Sequence, residues 1–466
     1  MTAVASRDID LPQDIVATLV DPAAYADHRI HDAYRWLRDN NPLGVARPEK
    51  FDPFWVVTKH AHLQTISRQN DLFHSADRPT TLTQKTIEAR IRKITGGPNL
   101  VRSLVQMDAP DHPKYRALTQ GWFMPANLTR LEPRIREIAR STVDRMAARG
   151  GACDFVADVA LHYPLHVIME ILGVPERDEP RMLKLTQELF GPQDPDTARI
   201  REALTAEQFA AMMEAVVNDF SAYFATITAD RRRNPREDLA SVIANARING
   251  AYMPELDITS YYMIVATAGH DTTSSSTAGA IWALAEDPEQ FAMVKANPEL
   301  ISGLVEEAIR WMTPGKHFMR SATADTELGG RRIARGDWLM LCYASANRDE
   351  EVFEDPLQLP LRPQAEPSHR LRLWRASLPR AASGQARNAD TVRGIAAAAD
   401  IDRARRRGQD DPGLFCQRTE EAADPLRVEL TAPNWAMGAA WNGMTLARIG
   451  LWAGEGVHLP CSARST

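Results

Sequence analysis

The sequence predicts a mainly α-helical protein with small β-sheets. Apolar residues recur at helical spacing from about Pro12 to Trp36 and again from Asn127 to Leu304, with few β-branched runs between them. Segments rich in strand-forming residues are short, and turn residues bound them. With 466 residues, 44% of them hydrophobic, the chain is long enough to bury a large core.

Two stretches predict the strands. The first, Trp55 to Thr58, follows a turn at Asp52-Pro53 and predicts a small sheet beside the helices. The second runs from Thr326 to Tyr343, where Gly329-Gly330 and Gly336-Asp337 separate short β segments. This punctuation is typical of hairpins between antiparallel strands.

Composition and charge exclude several classes of function. Lysine plus arginine number 55 against 61 aspartate plus glutamate, a net charge of -6, so no basic field favours nucleic acid or an anionic membrane. No segment approaches the ~20 apolar residues that span a bilayer. The four cysteines include no CxxC pair, which argues against a disulfide framework or a cysteine zinc site. We therefore expect a cytoplasmic protein with a small-molecule ligand.

The composition changes at residue 357. From Leu357 to Thr466 the chain has no lysine and no tyrosine, and arginine, alanine, proline and leucine dominate. We therefore divide the chain into a body, residues 1–356, and a tail, residues 357–466. A disordered or loosely helical appendix is one interpretation of the tail. An interaction or nucleic-acid arm is another, but the tail carries acidic as well as basic residues.

A chemically distinctive motif, Ala268-Gly269-His270-Asp271-Thr272-Thr273, lies within an apolar stretch that predicts one long helix. A glycine close to an acid and hydroxyl pair can loosen the helical hydrogen-bond ladder and leave room for a small ligand or water. Alternatively, the two threonines merely bond back to their own helix, as buried threonines commonly do. The motif alone favours the second interpretation.

Three further sets of side chains are candidates for buried polar roles. His112 and Arg116 lie one turn apart on a predicted helix, where two donors can hold one carboxylate. Glu307 and Arg310 lie three apart on another helix, and Arg320 precedes the second β-rich segment. For each set, an ordinary solvated surface position is the alternative.

The order and separation of these residues between about Asp10 and Pro356 resemble the bacterial cytochrome P450 family, over about three quarters of the chain. The resemblance implies a haem-thiolate monooxygenase that uses O2 and electrons from a ferredoxin-type partner to hydroxylate a hydrophobic small molecule. No flavin or nicotinamide fingerprint indicates a fused reductase. Thr267 to Ser276 is most similar to the terpene-alcohol hydroxylating branch, so a monoterpenoid is the first expectation. Steroid, aromatic and fatty-acyl substrates stay open.

The resemblance also implies roles for individual residues. Asp271 and Thr272 are implied in proton delivery during oxygen activation, and Glu307 and Arg310 match the pair that supports the core on the haem side. The residues implied to bind haem are His112, Arg116, Arg320, Ala268 and Gly269. Asn347, Arg348 and Asp349 match the turn that leads toward the family's cysteine loop.

That cysteine loop is missing from the chain. The family signature, Phe-Gly-x-Gly-x-His-x-Cys-x-Gly, follows the segment matched by Asp355-Pro356, and the sequence does not contain it. Cys416 lacks the surrounding glycines, and Cys153, Cys342 and Cys461 lie in unrelated contexts. No residue is therefore predicted to bind the iron, and a non-catalytic helical remnant or haem-free binding protein is the interpretation that the chain as written supports best.

A single frameshift explains both the missing loop and the change of composition. If one extra base entered the gene near codon 357, Trp374 (TGG) gives a shifted codon that begins GG and encodes glycine. In the same frame, Leu371 to Arg380 admits Phe-Gly-Tyr-Gly-Ala-His-Leu-Cys-Leu-Gly with ordinary synonymous codons. We therefore hypothesise that residues 357–466 are translated out of frame, and we expect this tail to be exposed and poorly ordered.

Overall fold

A computed structural model describes residues 9–150, 152–192, 194, 199–200, 204–359, 426–431 and 448–453. The helices in this part of the chain are α1 (Gln13–Val20), α2 (Pro22–Ala26), α3 (Arg29–Asn40), α4 (His60–Arg68), α5 (Lys85–Thr95), α6 (Asp111–Gln120), α7 (Pro125–Ala147), α8 (His162–Leu172), α9 (Glu179–Phe190), α10 (Ala206–Arg233), α11 (Leu239–Asn245), α12 (Glu255–Glu286), α13 (Pro288–Ala296), α14 (Ile301–Met312) and α15 (Tyr343–Ala346). Shorter helical turns are 3-10 at Leu104–Gln106, Glu176–Asp178 and Pro298–Leu300, and π at Val156–Ala160.

The strands are short and form small sheets. They are β1 (Leu43–Ala46), β2 (Phe54–Val57), β3 (Phe73–His74), β4 (Arg247–Ile248), β5 (Ala251–Tyr252), β6 (His317–Ala322), β7 (Thr326–Leu328), β8 (Arg331–Ile333), β9 (Trp338–Cys342), β10 (Leu426–Thr431) and β11 (Arg448–Ala453). One sheet has the order β1-β2-β9-β6-β3, in which β2 and β9 are parallel and the other neighbours antiparallel. The predicted fold, mainly helical with small sheets, is confirmed.

Capping and charge explain where the long helices begin. α10 starts after Thr205, whose hydroxyl accepts from the Gln208 amide while the Gln208 side chain accepts from Thr205 N–H, a capping box. α12 has Glu255 and Asp257 in its first turn, where acidic groups complement the helix dipole. Most of α12 is buried on every side, so it forms the central helix of the body.

The largest core cluster surrounds α12. It combines apolar side chains of α8, α10 and α11 with the first half of α12, and the Tyr262 ring stacks on Phe224 at 4.5 Å between centroids. A second cluster joins the N-terminal helices to one face of the five-stranded sheet, centred on the fully buried Trp338. The core therefore places α12 between the helical layer and the sheet-bearing part of the body.

The predicted strands are confirmed, but β1, β3 and β6 of the five-stranded sheet were not predicted. β2 falls in the first β-rich stretch, and β7 to β9 fall in the second. Within the stretch that predicts only helix, however, β4 and β5 form a hairpin through Asn249 and Gly250, both at positive φ. An Asn-Gly pair is a strong turn signal, but strands of two residues are too short to alter the apolar periodicity.

Only parts of the tail are described. Residues 357–359 continue the body, and β10 and β11 pair antiparallel in register from Leu426 with Ala453. The expectation of a poorly ordered tail otherwise concerns residues outside the described part of the chain. Among the described helices, none combines the length and apolarity needed to cross a bilayer.

Candidate active site

The motif lies at the middle of α12, against α8. A Cβ on Gly269 would lie 3.0 Å from Ile168 Cδ1, so a larger residue here would require the Ile168 side chain to shift. The Thr272 hydroxyl donates to the Ala268 carbonyl at 2.7 Å. The interpretation that this threonine bonds back to its own helix is therefore correct for its hydroxyl proton. The lone pairs of Thr272 Oγ1 remain available as acceptors. Thr273 Oγ1, by contrast, is buried without a partner among the described residues.

Asp271 holds an unusual position for a carboxyl group. Its side chain is 14% exposed, and within the described chain its buried Oδ2 has no hydrogen-bond partner. Burial raises the pKa of Asp271 well above its ordinary value, because a charged carboxylate is poorly solvated there. The raised pKa favours the protonated form of Asp271, which is the form that a proton donor needs.

The pair predicted on α6 faces α12. His112 is buried, and burial together with the nearby Arg116 charge lowers the pKa of His112 to about 4. Its Nε2 finds no partner in the described part of the chain. Thr119 Oγ1 lies 2.6 Å from Tyr261 Oη, which joins α6 to α12. A solvated helix start is therefore the wrong interpretation of His112.

Arg320 lies on β6, a separate element from the α6 pair. The residue is only 6% exposed, and its Nη1 donates to the Met319 carbonyl at 2.7 Å. Among the described residues, no carboxylate lies within ion-pair distance of this guanidinium. A buried arginine without an acid partner fits a ligand that brings its own negative charge.

Glu307 and Arg310 form a buried ion pair on α14. Arg310 Nε lies 2.9 Å from Glu307 Oε2, and the guanidinium also donates to three main-chain carbonyls beyond the sheet. The acceptors are Asn347 at 3.0 Å, Pro356 at 3.0 Å and Gln358 at 2.8 Å. Since all donors are directed to fixed acceptors, the pair holds the chain after α15 against α14. The solvated alternative is wrong.

The turn after α15 is fixed by hydrogen bonds of its side chains to α4 and to the C-terminal end of α14. Asn347 Nδ2 donates to Thr313 Oγ1 at 2.9 Å, and Asp349 Oδ2 accepts from the His60 amide at 2.8 Å. Arg348 Nη2 donates to the Trp311 carbonyl at 2.6 Å, while its Nε and Nη1 are buried without partners among the described residues. Burial lowers the pKa of Arg348 to about 9, with the Arg310 charge acting in the same direction.

Comparisons with known proteins decide the family. The model of the cytochrome P450 family matches residues 49–361. Cytochrome P450-terp of Pseudomonas sp is 48% identical over 349 residues, covering 74% of this chain and 82% of that protein. The chain belongs to the cytochrome P450 family.

Further relatives of this P450 extend the comparison. Linalool 8-monooxygenase of Pseudomonas putida is 30% identical over 342 residues, 72% of this chain and 80% of that protein. The crystal structure of CYP108D1 from Novosphingobium aromaticivorans is 39% identical, with a TM-score of 0.74, and covers 95% of this chain and 99% of that one. Relatives named as monooxygenases, together with the family, make this chain an oxidoreductase by descent.

Members of the P450 family bind haem through a cysteine thiolate. The described residues of this chain suit the carboxylates of haem but not its iron. The basic side chains of α6 and β6 suit the haem carboxylates. The described cysteines do not suit the iron, because burial raises the pKa of Cys342 to about 12 and also raises that of Cys153. Cys416 and Cys461 lie outside the described residues.

Two contacts of the site were not predicted. His270, named only as part of the motif, is fully buried and contacts both Leu161 and Thr186. The position of His270 beside the acid was a usable signal, but nothing in the sequence near Thr186 marks it. A second buried histidine, His317, has both ring nitrogens without partners among the described residues.

Proposed function

We propose that this P450 hydroxylates a monoterpenoid in the cytoplasm, with O2 and electrons from a ferredoxin-type partner. The carrying observation is the identity of 48% to cytochrome P450-terp, and the linalool 8-monooxygenase of Pseudomonas putida points to the same class of substrate. The buried Asp271 beside Thr272, with its pKa raised by burial, supports an oxygenase role for this helix.

The proposed roles of the site residues follow from their surroundings. His112, Arg116 and Arg320 hold the carboxylates of haem. The two arginines bring positive charge, and among the described residues His112 Nε2 has no partner. Asp271 holds the proton that is delivered during oxygen activation, and the Thr272 hydroxyl orients the group that accepts this proton. Ala268 and Gly269 let haem approach α12, because their side chains are small; the Cβ direction of Gly269 is already filled by Ile168 of α8. When bound, haem supplies oxygen activation, which no side chain of the protein can provide.

We also propose that residues 357–466 are an out-of-frame translation, so that the body comprises residues 1–356. The family match stops at residue 361, close to the change of composition at residue 357. No described cysteine is suited to bind iron, because burial raises the pKa of both thiols. This agrees with the absence of the cysteine loop from the chain. The enzyme encoded in the intact frame has the loop, and the chain as written does not.

Genomic sequencing and a spectrum test this proposal together. Removing one base near codon 357 is expected to open the frame that contains the loop, and the resulting protein is expected to show the carbon monoxide spectrum of thiolate-bound haem. The matched control replaces the loop cysteine by serine in that frame, and the thiolate band should disappear. If no single-base deletion opens the loop frame, the frameshift proposal is wrong.

A haem-free remnant is the second candidate for the chain as written. The buried Cys153 and Cys342, whose thiols resist ionisation, favour it. The purified protein with the sequence as written is then expected to be colourless after haem addition and gel filtration. If resequencing confirms the reading frame and the preparation is red and oxidises a substrate, both this candidate and the proposal that the iron ligand is missing are wrong.

The substrate class is tested in the frame-restored protein. Spectral titration with a monoterpene alcohol, a steroid and a fatty acid is expected to give the tightest binding for the monoterpene alcohol, with a hydroxylated product in turnover. Tighter binding and turnover of the steroid would overturn the substrate class and leave the monooxygenase assignment intact.

A further inference from the structure

His270 and Asp271 form a buried pair, and the proposed function gives no role to His270. The pair lies where α12 packs against α8, α9 and the preceding π turn. His270 has no exposed surface, and its Nδ1 lies 3.3 Å from Asp271 Oδ1. On the other side of the ring, His270 Nε2 lies 2.8 Å from the Leu161 carbonyl oxygen.

The Leu161 contact fixes the state of the imidazole. A carbonyl oxygen only accepts hydrogen bonds, so His270 Nε2 must carry the hydrogen. In a neutral ring, Nδ1 is then an acceptor and faces a carboxyl oxygen that is also an acceptor when ionised. The contact between Nδ1 and Asp271 Oδ1 is therefore favourable only if one proton lies between these two atoms.

Two placements of that proton are possible, and burial selects between them. Thr186 donates its hydroxyl proton to the Leu183 carbonyl at 2.9 Å, and Thr186 Oγ1 lies 3.4 Å from His270 Nδ1, where it could accept from a charged ring. Burial, however, lowers the pKa of His270 to about 4 even though the hydrogen bond to Leu161 acts in the opposite direction, and the nearby His162 acts in the same direction as burial. Burial also raises the pKa of Asp271, so both shifts favour the neutral pair with the proton on Asp271.

We propose that His270 is a positioning residue that keeps Asp271 protonated and oriented, with its neutral Nδ1 accepting the carboxyl proton and its Nε2–H anchored on Leu161. The inference rests on the proposed role of Asp271 as proton donor. Loss of the proton leaves a carboxylate, and a proton returned to Oδ1 or Nδ1 restores the pair. When the proton lies on Nδ1 and the ring is charged, Thr186 Oγ1 offers Nδ1–H a second acceptor and so stabilises this form.

Spectroscopy on the full chain as written tests the proton placement without haem. Infrared spectra at pH 7 are expected to contain the carbonyl stretch of a protonated carboxylic acid that disappears in Asp271→Asn. Nitrogen-15 NMR of histidine-labelled protein is expected to show His270 as the neutral Nε2–H tautomer, assigned by its loss in His270→Gln. A doubly protonated His270 at pH 7, without the acid band, would overturn the proposal.

Two variants separate positioning from burial. His270→Leu keeps the site apolar but removes the acceptor, so the acid band is expected to persist at a shifted frequency. His270→Gln can donate to Leu161 and accept from Asp271, and the band is expected to return toward the parent position. An acid band that is identical in the parent and in His270→Leu would mean that the ring makes no hydrogen bond to Asp271.

The same variants in the frame-restored protein keep the two proposals apart. His270→Leu is expected to lower turnover roughly tenfold and to raise the solvent deuterium isotope effect, with KM nearly unchanged, since only proton supply is impaired. His270→Gln should recover most of the loss. Unaltered turnover and isotope effect in His270→Leu would refute the role of His270. A protein without monooxygenase activity that still shows the infrared band would refute only the proposed function.

Discussion

At the scale of single residues, burial decides which charges matter. Arg310 and Arg332 each form one ion pair, but the Arg310 pair is almost fully buried while both partners of the Arg332–Asp325 pair are more than half exposed. An exposed pair is screened by water and contributes little. A buried pair contributes mainly through what its removal would leave behind, an unpaired charge and unsatisfied carbonyls.

Arg310→Met is therefore expected to lower the free energy of unfolding by about 3–5 kcal/mol. The variant leaves the Glu307 carboxylate and the carbonyls of Asn347, Pro356 and Gln358 without their donor. Urea denaturation followed by circular dichroism measures the change. Arg332→Met is the matched control and should change stability by less than about 0.5 kcal/mol. Equal effects of the two variants would contradict the buried role of Arg310.

His317 makes stability depend on pH. Its ring is buried on β6, both nitrogens have no partner among the described residues, and burial lowers its pKa to about 4. Between about pH 6.5 and 4 the unfolded chain therefore binds a proton that the folded chain refuses, so stability falls as pH falls. His317→Phe is expected to remove up to about 3 kcal/mol of this loss. Denaturation midpoints at pH 7 and pH 4.5 give the loss of stability on acidification for parent and variant, and the contributions of the other histidines cancel in the comparison. Equal losses in the two proteins would contradict this role of His317.

The sequence could predict site residues that share one turn of helix, and could not predict long-range partners. Asp271 and Thr272 are consecutive in the chain, and Glu307 and Arg310 meet because the helix brings positions three apart onto one face. The contact of His270 with Thr186 joins positions 84 apart, and no local pattern encodes it. Burial also had to be observed, since the same Glu-x-x-Arg spacing occurs on solvated helix faces.

At the scale of elements, the helices were predictable and their packing was not. Apolar periodicity predicts α12 and α14 separately, but it does not say which residues meet where they cross. The structure places Gly279 of α12 directly under Met312 of α14, where a Cβ would lie 2.1 Å from Met312 Cγ. Gly303 of α14, by contrast, has open space around it.

Gly279→Ala and Gly303→Ala are expected to act in opposite directions. Both gain about 1 kcal/mol of helix propensity, but only the first forces Met312 to move, at about 1–3 kcal/mol. Thermal or urea unfolding should therefore show Gly303→Ala stabilised relative to Gly279→Ala by that amount. Adding Met312→Ala should remove the penalty of Gly279→Ala specifically. Equal stabilities of the two single variants would mean that the helices do not meet at Gly279.

At the scale of the whole molecule, the body continues slightly past the predicted boundary. The Trp311 indole donates to the Leu357 carbonyl at 2.8 Å, Arg310 donates to the Gln358 carbonyl, and Leu359 joins the cluster between α12 and α14. Main-chain carbonyls accept hydrogen bonds whatever side chain follows them. If residues 357–359 are translated out of frame, as we propose, they can still complete these contacts, provided that the backbone follows the same course.

This reasoning predicts where the chain can be cut. A protein ending after residue 359 is expected to match the full chain within about 1 kcal/mol in free energy of unfolding, whereas one ending after residue 355 should lose at least about 3 kcal/mol with the carbonyl acceptors. Replacing Leu357 and Gln358 by alanine in the longer protein is the control and should have little effect, because the carbonyls remain. Urea denaturation compares all four. A full chain that is much more stable than the 359-residue protein would show that the tail belongs to the folded body, and the division of the chain would be wrong.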